Sequence, residues 1–390
     1  MKRSKVLAVL FAVGFMAVSA TGAFALTVEE EIAELKSAVA ALKKVDVASS
    51  LGITIEAGGT FVLQGVSKAN DGTDKGITDA SFSFDLGLGK EFDNGGMLFA
   101  HIEGAHGDGL CETSIEAYSS VNADAGSTDN LLEITEFWYE QPLFDKKVTV
   151  TFGKLNAGGY FDENAAANDE TEQFLASMFV NNTAIALPDN NVGLRVTYSP
   201  VEFLDITYAY INQNDDLNRV NTNGFNAVQA TLKYSDKGNY RVMYWGSNID
   251  EVSFKTGEEA SGYGIALSLD HQIAEDIILF GRYGYQNPEV YELSSAWSFG
   301  AQFGGGIWSR DNDVVGIAVG QNIVSKDYVD SVGGGYSDDI ETQAEAYYKL
   351  GINDNVAFTP VLQYVVKPMG GNAADDNDVV TFGIRMQVSF

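Results

Sequence analysis

The chain is 390 residues long and carries 54 acidic against 24 basic residues, a formal net charge of −30 that argues against nucleic acid as a partner, because phosphate binding needs basic surface. Its 41 Gly, 18 Tyr and 23 Phe argue against intrinsic disorder and against a helical bundle, and they favour β-structure. A single cysteine, Cys111, excludes an intramolecular disulfide framework and a Cys-rich zinc site.

The first residues have the three parts of a secretory signal peptide. Residues 1–5 include three cations, residues 6–20 form an apolar run, and residues 23–25 read Ala-Phe-Ala. This order predicts a signal peptide over 1–25 that is cut after Ala25, with an uncleaved anchor helix as the alternative. No later stretch approaches the roughly 20 apolar residues that a transmembrane helix needs, although this test does not detect membrane barrels.

The next segment, 26–48, has a helical period. Its apolar residues follow one another at intervals of four, three, four and three, which is the spacing of a coiled-coil seam. They are Val28, Ile32, Leu35, Val39 and Leu42. We therefore predict a short periplasmic amphipathic helix. It either associates chains as a coiled coil or packs on its own domain, and the sequence leaves both open.

From Gly52 onward, apolar and polar residues alternate with a period of two, which predicts strands with one apolar and one polar face. The pattern is clearest between Val380 and Phe390. Sixteen segments follow it: 52–66, 79–90, 97–107, 131–141, 147–155, 191–200, 203–212, 226–235, 239–247, 260–273, 276–286, 294–308, 314–325, 341–352, 355–368 and 378–390. The segment 131–141 loses its phase around Glu136, which predicts a β-bulge.

The connections between these segments alternate in length. Short links such as 201–202 and 353–354 fall between long ones such as 108–130 and 156–190. This alternation and the even strand number are typical of an outer-membrane barrel with tight periplasmic turns and long external loops. The sequence therefore predicts an all-β, antiparallel transmembrane barrel of about sixteen strands over 52–390. A secreted β-sandwich or propeller is the alternative, but neither explains the loop alternation.

A barrel of this size encloses a lumen too wide for side chains to fill, which predicts an aqueous channel lined by the polar phase of the strands. The longest connection, 156–190, keeps many apolar residues, so we expect it to fold into the lumen as a constriction loop, with an external lid as the alternative. Its acidic residues would then face the wall cations across the lumen. The candidate pore-lining residues are Asp162, Glu163, Asn164, Arg195, Arg241, Trp245, Arg282, Glu345, Tyr347, Lys349, Gln363 and Arg385.

Two blocks of sequence carry family motifs. They contain Phe161-Asp162 with Asn164, Gln173-Phe174-Leu175 and Ala184–Pro188 leading to Gly193-Leu194-Arg195, and then Glu345-Ala346-Tyr347-Tyr348, Thr359–Tyr364 and Gly383-Ile384-Arg385 through Phe390. Together these blocks, which cover roughly a third of the chain, resemble the carbohydrate-selective outer-membrane porins. The resemblance implies a sugar-permeable channel of sixteen strands, with a constriction lined by lumenal Arg, acidic and aromatic residues.

Three functions stay open at this point: a sugar-selective porin, a general diffusion or ion-selective porin, and a structural envelope protein tethered through its N-terminal coiled coil. We expect Phe390 to be the assembly signal, lipid and lipopolysaccharide to surround the barrel, and the chain to form a homotrimer, as porins of this size commonly do. No enzyme is predicted, because the three histidines lack the spacing of a metal site or a catalytic triad. No cofactor is predicted either, apart from a weak candidate for Ca²⁺ at the acidic turn 375–378.

Overall fold

The computed structural model describes residues 52–70, 72, 76–110, 115–125, 132–214, 219–333, 336–374 and 378–390. The predicted signal peptide, the predicted helix over 26–48, Cys111 and residues 375–377 of the acidic turn lie outside the described residues. None of the helices in the described ranges has the length and hydrophobicity to cross a membrane.

Sixteen strands form one closed antiparallel barrel, in which each strand pairs with its neighbours in sequence. They are β1 Ile53–Val66, β2 Ile77–Glu91, β3 Met97–His106, β4 Glu133–Leu143, β5 Val148–Leu155, β6 Asn191–Val201, β7 Leu204–Asn212, β8 Gly224–Lys233, β9 Gly238–Val252, β10 Glu259–Ala274, β11 Ile277–Gln286, β12 Leu293–Gly304, β13 Val314–Val324, β14 Ile340–Asn353, β15 Val356–Val366 and β16 Val379–Ser389. β1 and β16 close the barrel, with Val62 opposite Arg385. Every predicted segment is a strand, so the predicted fold class is confirmed.

The strand phase puts apolar side chains on the outside. In β16, Val380, Phe382 and Ile384 are 44–56% exposed, whereas Thr381 and Arg385 are 1% exposed. An apolar outer band of this kind matches the lipid-facing surface of a membrane barrel, where every strand alternates apolar-out and polar-in. Several tyrosines of the predicted aromatic girdle are exposed on the same outer face: Tyr198, Tyr208, Tyr244 and Tyr283.

Short helices lie in the connections. They are α1 Ser177–Val180, α2 Lys326–Val332 and the 3-10 helices Gly305–Trp308 and Pro368–Gly370. The prediction that a strand continues to Trp308 is therefore wrong. The chain turns back at Gly305, where a Cβ atom would lie 1.7 Å from the Arg310 carbonyl oxygen. The resulting connection, 305–313, is longer than the opposite-end connections 253–258 and 287–292, so the strict alternation of loop lengths fails there.

The predicted bulge in β4 is confirmed. His101 pairs with Glu136 and Ile102 pairs with Ile134, so Thr135 is an extra residue in β4. The Oγ1 atom of Thr135 lies 2.6 Å from the Nδ1 atom of His101. Because a bulge inserts one residue, it shifts the in-and-out phase of the strand and turns neighbouring side chains toward the same face.

Candidate solute channel and its internal loop

The connection 156–190 lies inside the barrel, against its inner wall. Near its two ends, Phe161 and Ile185 pack against inward-facing residues of β7–β10, including Phe225 and Trp245. Apolar surface removed from water stabilises by about 25 cal/mol per Å², so this contact holds the connection, hereafter the internal loop, against the wall rather than over the barrel mouth.

The middle of the internal loop packs against another part of the inner wall, formed by β11, β13, β14, β15 and β1. The Phe174 ring is fully buried and lies 5.0 Å from the Tyr347 ring, 5.3 Å from the Phe179 ring and 5.6 Å from the Phe280 ring, measured between centroids. The same cluster includes Val62 on β1. The loop therefore touches the wall from β7 round to β1.

Arg282 on β11 is the main polar anchor of the internal loop. Its Nε atom lies 2.9 Å from Oδ2 of Asp162, and both side chains are fully buried. The same guanidinium donates to the backbone oxygens of Asp162 at 2.8 Å and of Phe179 at 2.8 Å, and to that of Ala167. Burial raises the pKa of the Asp162 carboxyl, while Arg282 and the Asn182 N–H oppose that shift. The pair thus joins distant parts of the loop to one strand.

Glu345 on β14 anchors the middle of the loop. Its Oε1 atom accepts a hydrogen bond from the Leu175 N–H at 2.7 Å, and its Oε2 atom accepts from the Ala176 N–H at 2.8 Å. The Gln363 side-chain amide donates to the same carboxylate at 3.0 Å. Buried backbone N–H groups need partners, and inside the lumen no neighbouring strand supplies them, so wall side chains do.

Arg385 and Asn164 complete the attachment. Arg385 on β16 donates to the backbone oxygens of Glu170 and of Gln173, the latter at 2.9 Å. From the loop side, Asn164 donates to the backbone oxygen of Leu269 at 2.9 Å. Both side chains are therefore used in holding the loop.

These contacts correct the predicted pore lining. Eight of the twelve candidates are buried where the loop meets the wall: Asp162, Asn164, Trp245, Arg282, Glu345, Tyr347, Gln363 and Arg385. The expectation that Asp162 faces cations across the lumen is wrong, because it contacts Arg282 directly. The alternation of a strand marks which side chains point inward, but it does not say whether they meet water or another part of the chain.

The other four candidates keep some exposure, and each has a neighbour of opposite charge. Arg195 pairs with Glu140 on β4 and Lys349 with Glu172 on the loop. Arg241 donates to Asp270 at 2.6 Å, and the exposed carboxylate of Glu163 lies 4.0 Å away from it. The basic side chains thus pair with neighbouring carboxylates, so these positive and negative charges do not face each other across the lumen.

The inner surface therefore has two parts. The covered wall is the inward face of β7–β16 and β1, where Trp245, Glu345 and Arg385 are at most 2% exposed. The open wall comprises inward-facing residues of β2–β6 that keep solvent contact: Asp85, His101, Glu103, Glu136, Trp138, Glu140 and Arg195. The exposed fractions of the Asp85, His101 and Glu140 side chains are 33%, 24% and 28%.

Trp138 and Glu140 are open-wall residues that the sequence analysis missed. Both lie in β4 beyond the bulge at Thr135, and the phase of segment 131–141 could not be assigned across it. Arg195, which the sequence did identify, stands 4.1 Å above the Tyr160 ring of the loop. This cation–π contact joins the open wall to the internal loop.

A second connection, which includes residues 115–125, contacts the inner wall at β1, β2 and β15. The backbone oxygen of Val121 accepts from the side-chain amides of Gln64 and Gln363, at 3.2 Å and 2.7 Å. Asp124 accepts from the Ser83 hydroxyl at 2.6 Å. Burial raises the pKa of Asp124 to about 7.

The architecture is similar to that of several solved structures. OprB of Pseudomonas putida at high pH superposes with a TM-score of 0.75 at 18% identity, over 88% of this chain and 96% of that one. The outer-membrane channel DcaP of Acinetobacter baumannii superposes with a TM-score of 0.58 at 11% identity, over 87% and 97%. At these identities the likeness concerns the fold alone, a closed antiparallel barrel.

The family model described as carbohydrate-selective porin, OprB family, matches residues 69–390. The chain belongs to this family, whose members are outer-membrane channels for small solutes, and the suspected resemblance is confirmed. An uncharacterized protein of Aquifex aeolicus is 28% identical over 147 residues, which are 38% of this chain and 42% of that relative. The match therefore spans less than half of that relative's length.

Proposed function

We propose that this chain carries sugars and other small polar solutes by passive diffusion across the bacterial outer membrane, through the gap between the internal loop and the open wall. The observation that carries this proposal is the contrast between the two walls. The polar groups of the covered wall, such as Glu345, form hydrogen bonds with the loop backbone. In contrast, Glu140 and Arg195 on the open wall keep contact with solvent. The internal loop acts as the constriction.

The open wall carries polar and aromatic groups of the kinds that bind polyols. Forked guanidinium and carboxylate groups such as Arg195 and Glu140 exchange hydrogen bonds with hydroxyls, and aromatic faces stack on the apolar faces of sugar rings. Trp138 is half-buried and packs against the cluster of Leu155, Ala157 and Ile211. Its ring lies 5.1 Å from the Phe99 ring, and its indole N–H donates to Glu136. A sugar can replace water at these groups with little loss of hydrogen bonding.

One observation favours a second candidate, a cation-preferring diffusion channel. The open wall carries more carboxylates than cations, since Asp85, Glu103, Glu136 and Glu140 face Arg195 and the titratable His101. Rings and clusters of carboxylates in a pore favour cations. Sugar transport and cation preference are compatible, and the experiment below separates them.

The test measures single-channel current in planar bilayers with and without added mono- and disaccharides. Trp138→Ala should weaken the sugar block, because the stacking surface is lost. Trp297→Ala is the matched control, since Trp297 lies in the outward phase between the inward-facing Ala296 and Ser298. A cation-selective current that no sugar reduces would favour the second candidate, and equal sugar block in both variants would contradict the proposed route.

Export through the signal peptide over 1–25, assembly guided by Phe390, contact with lipopolysaccharide and a homotrimeric state belong to the same proposal. They are supported by the sequence pattern and by the trimeric state that is common among porins of this size. Cross-linking of the purified protein in detergent measures the oligomeric state, and a monomer at all concentrations would contradict the trimer.

A further inference from the structure

Two carboxylates stand directly opposite each other on the open wall. Asp85 of β2 and Glu103 of β3 are register partners, and both point into the lumen. Like charges directly opposite on neighbouring strands destabilise a sheet. Among the described residues, Asp85 forms an ion pair with a histidine, His101, and with no Arg or Lys.

His101 lies on the same face, two residues before Glu103. Its Nε2 atom is 3.2 Å from Oδ1 of Asp85, and its Nδ1 atom is 2.6 Å from Oγ1 of Thr135. One oxygen or nitrogen atom from each of Asp85, His101 and Glu103 lies within 4.8 Å of the other two. Histidines that bind metal commonly use one ring nitrogen for the ion and hydrogen-bond the other to a fixed oxygen, as this ring does with Thr135.

Asp124 supplies an independent observation. It is 8% exposed, and its Oδ2 atom has no hydrogen-bond partner among the described residues. Its Oδ1 atom accepts from the hydroxyl of Ser83, which lies two residues before Asp85 on the same face of β2. A buried carboxyl oxygen without a partner is costly, and this one lies on the side of β2 that also carries the opposed carboxylates. The fold thus gathers acidic groups where a bound cation would stabilise them.

We propose that the open wall binds a divalent transition-metal ion, with Zn²⁺ as the reference, through Asp85, His101 and Glu103. Imidazole with two carboxylates suits Zn²⁺, Co²⁺ or Ni²⁺, whereas Ca²⁺ and Mg²⁺ prefer oxygen ligands alone. Metal–ligand distances of about 2.0–2.2 Å require a modest rotation of the three side chains toward a common point. The remaining coordination positions face the lumen, where water or a passing solute occupies them.

The binding test uses ZnCl₂ titrated calorimetrically into the intact, detergent-purified barrel. All proteins carry Cys111→Ser, because a thiol also binds Zn²⁺. His101→Ala and Asp85→Asn should each weaken Zn²⁺ binding about tenfold or more. Thr135→Val should weaken it about 10- to 100-fold if the hydroxyl orients the ring, as outer-shell partners of metal ligands do.

The matched control is His271→Ala, which removes a histidine in the outward phase of β10 between the inward Asp270 and the next turn. This variant should bind Zn²⁺ like the parent, and Co²⁺ added to the parent alone should give a visible absorption that His101→Ala lacks. Failure of the parent to bind Zn²⁺, or equal binding by the parent, His101→Ala and Asp85→Asn, would overturn the proposal. Calorimetry does not depend on the proposed channel function.

A thermal measurement separates the metal site from a merely structural cluster. Without Zn²⁺, Asp85→Asn should melt close to the parent's temperature or above it, because removing one of two opposed charges offsets the loss of the solvent-accessible contact with His101. With Zn²⁺, only the parent should gain stability, since a ligand that binds the folded state alone stabilises it. A parent that gains nothing from Zn²⁺, or an Asp85→Asn variant that gains as much, would count against the site.

Discussion

The covered wall and the open wall carry the same kinds of charged side chain, but these side chains have different partners. On the covered wall, Arg282, Glu345 and Arg385 bond backbone groups of the internal loop. On the open wall, Arg195 and Glu140 bond each other at the edge of solvent. The strands alternate in the same way on both sides, so the position of one loop decides whether an inward charge is structural or accessible to solutes.

The difference has an energetic consequence. Breaking a buried ion pair by removing one partner costs about 3–5 kcal/mol, because a desolvated charge is left behind. An ion pair that remains in contact with water is worth about 0–1 kcal/mol. The covered wall should therefore resist substitution of its charges, whereas the open wall should accept it and respond in selectivity.

The largest effect is expected from deleting residues 165–180 of the internal loop. This change removes Phe174 and the backbone groups that Glu345 and Arg385 bind, so part of the covered wall becomes accessible to water. Single-channel conductance should rise and sugar block should weaken, while the heat-modifiable barrel still forms. Unchanged conductance would mean that the loop does not limit flow and that the contrast between the walls has no bearing on transport.

Arg282→Met should give the next largest effect. The substitution roughly keeps the volume of the side chain. It leaves the buried Asp162 carboxylate without its counter-ion and the Phe179 backbone oxygen without its donor. We expect a loss of about 3–5 kcal/mol in the attachment of the loop. Faster hydrogen exchange across the loop, and noisier open-channel current, would report it.

The matched variant for Arg282→Met is Arg282→Met combined with Asp162→Asn. It removes both charges, so part of the lost stability should return. If the double variant is no more protected from exchange than the single one, the ion pair is not what holds this part of the loop.

Glu345→Gln should have a smaller effect. A carboxylate accepts with both oxygens, from the Leu175 and Ala176 N–H groups, but an amide has one accepting oxygen and turns donor hydrogens toward the other N–H. A buried donor left without a partner costs about 1–3 kcal/mol. Exchange should accelerate at Leu175 or Ala176 and stay unchanged near Phe161, and acceleration spread over the whole loop would argue against this local role.

The strand pattern allowed the barrel to be predicted from sequence, because a one-residue slip would reverse every side chain between lipid and lumen. It also identified residues that touch the internal loop, such as Arg282 and Glu345, although it assigned them to the pore. Their burial depends on contacts with residues over a hundred positions away, which a two-residue period cannot show. The group of Asp85, His101 and Glu103 was missed for a similar reason, since these residues meet only through the β2–β3 register.

The smallest effect on stability is expected from Arg195→Ala on the open wall. Its partner Glu140 stays hydrated when the guanidinium is removed, so the loss should be about 0.5–2 kcal/mol, the ion pair and the contact with the Tyr160 ring taken together. Selectivity should change more than stability, because the gap loses a positive charge beside several carboxylates. The reversal potential in a salt gradient should move toward cation preference. Lys255→Ala is the charge-matched control, because Lys255 lies in an external connection and pairs there with Glu289. An equal shift of the reversal potential in both variants would show that ions respond to the overall charge of the protein. This result would contradict the proposal that solutes pass along the open wall.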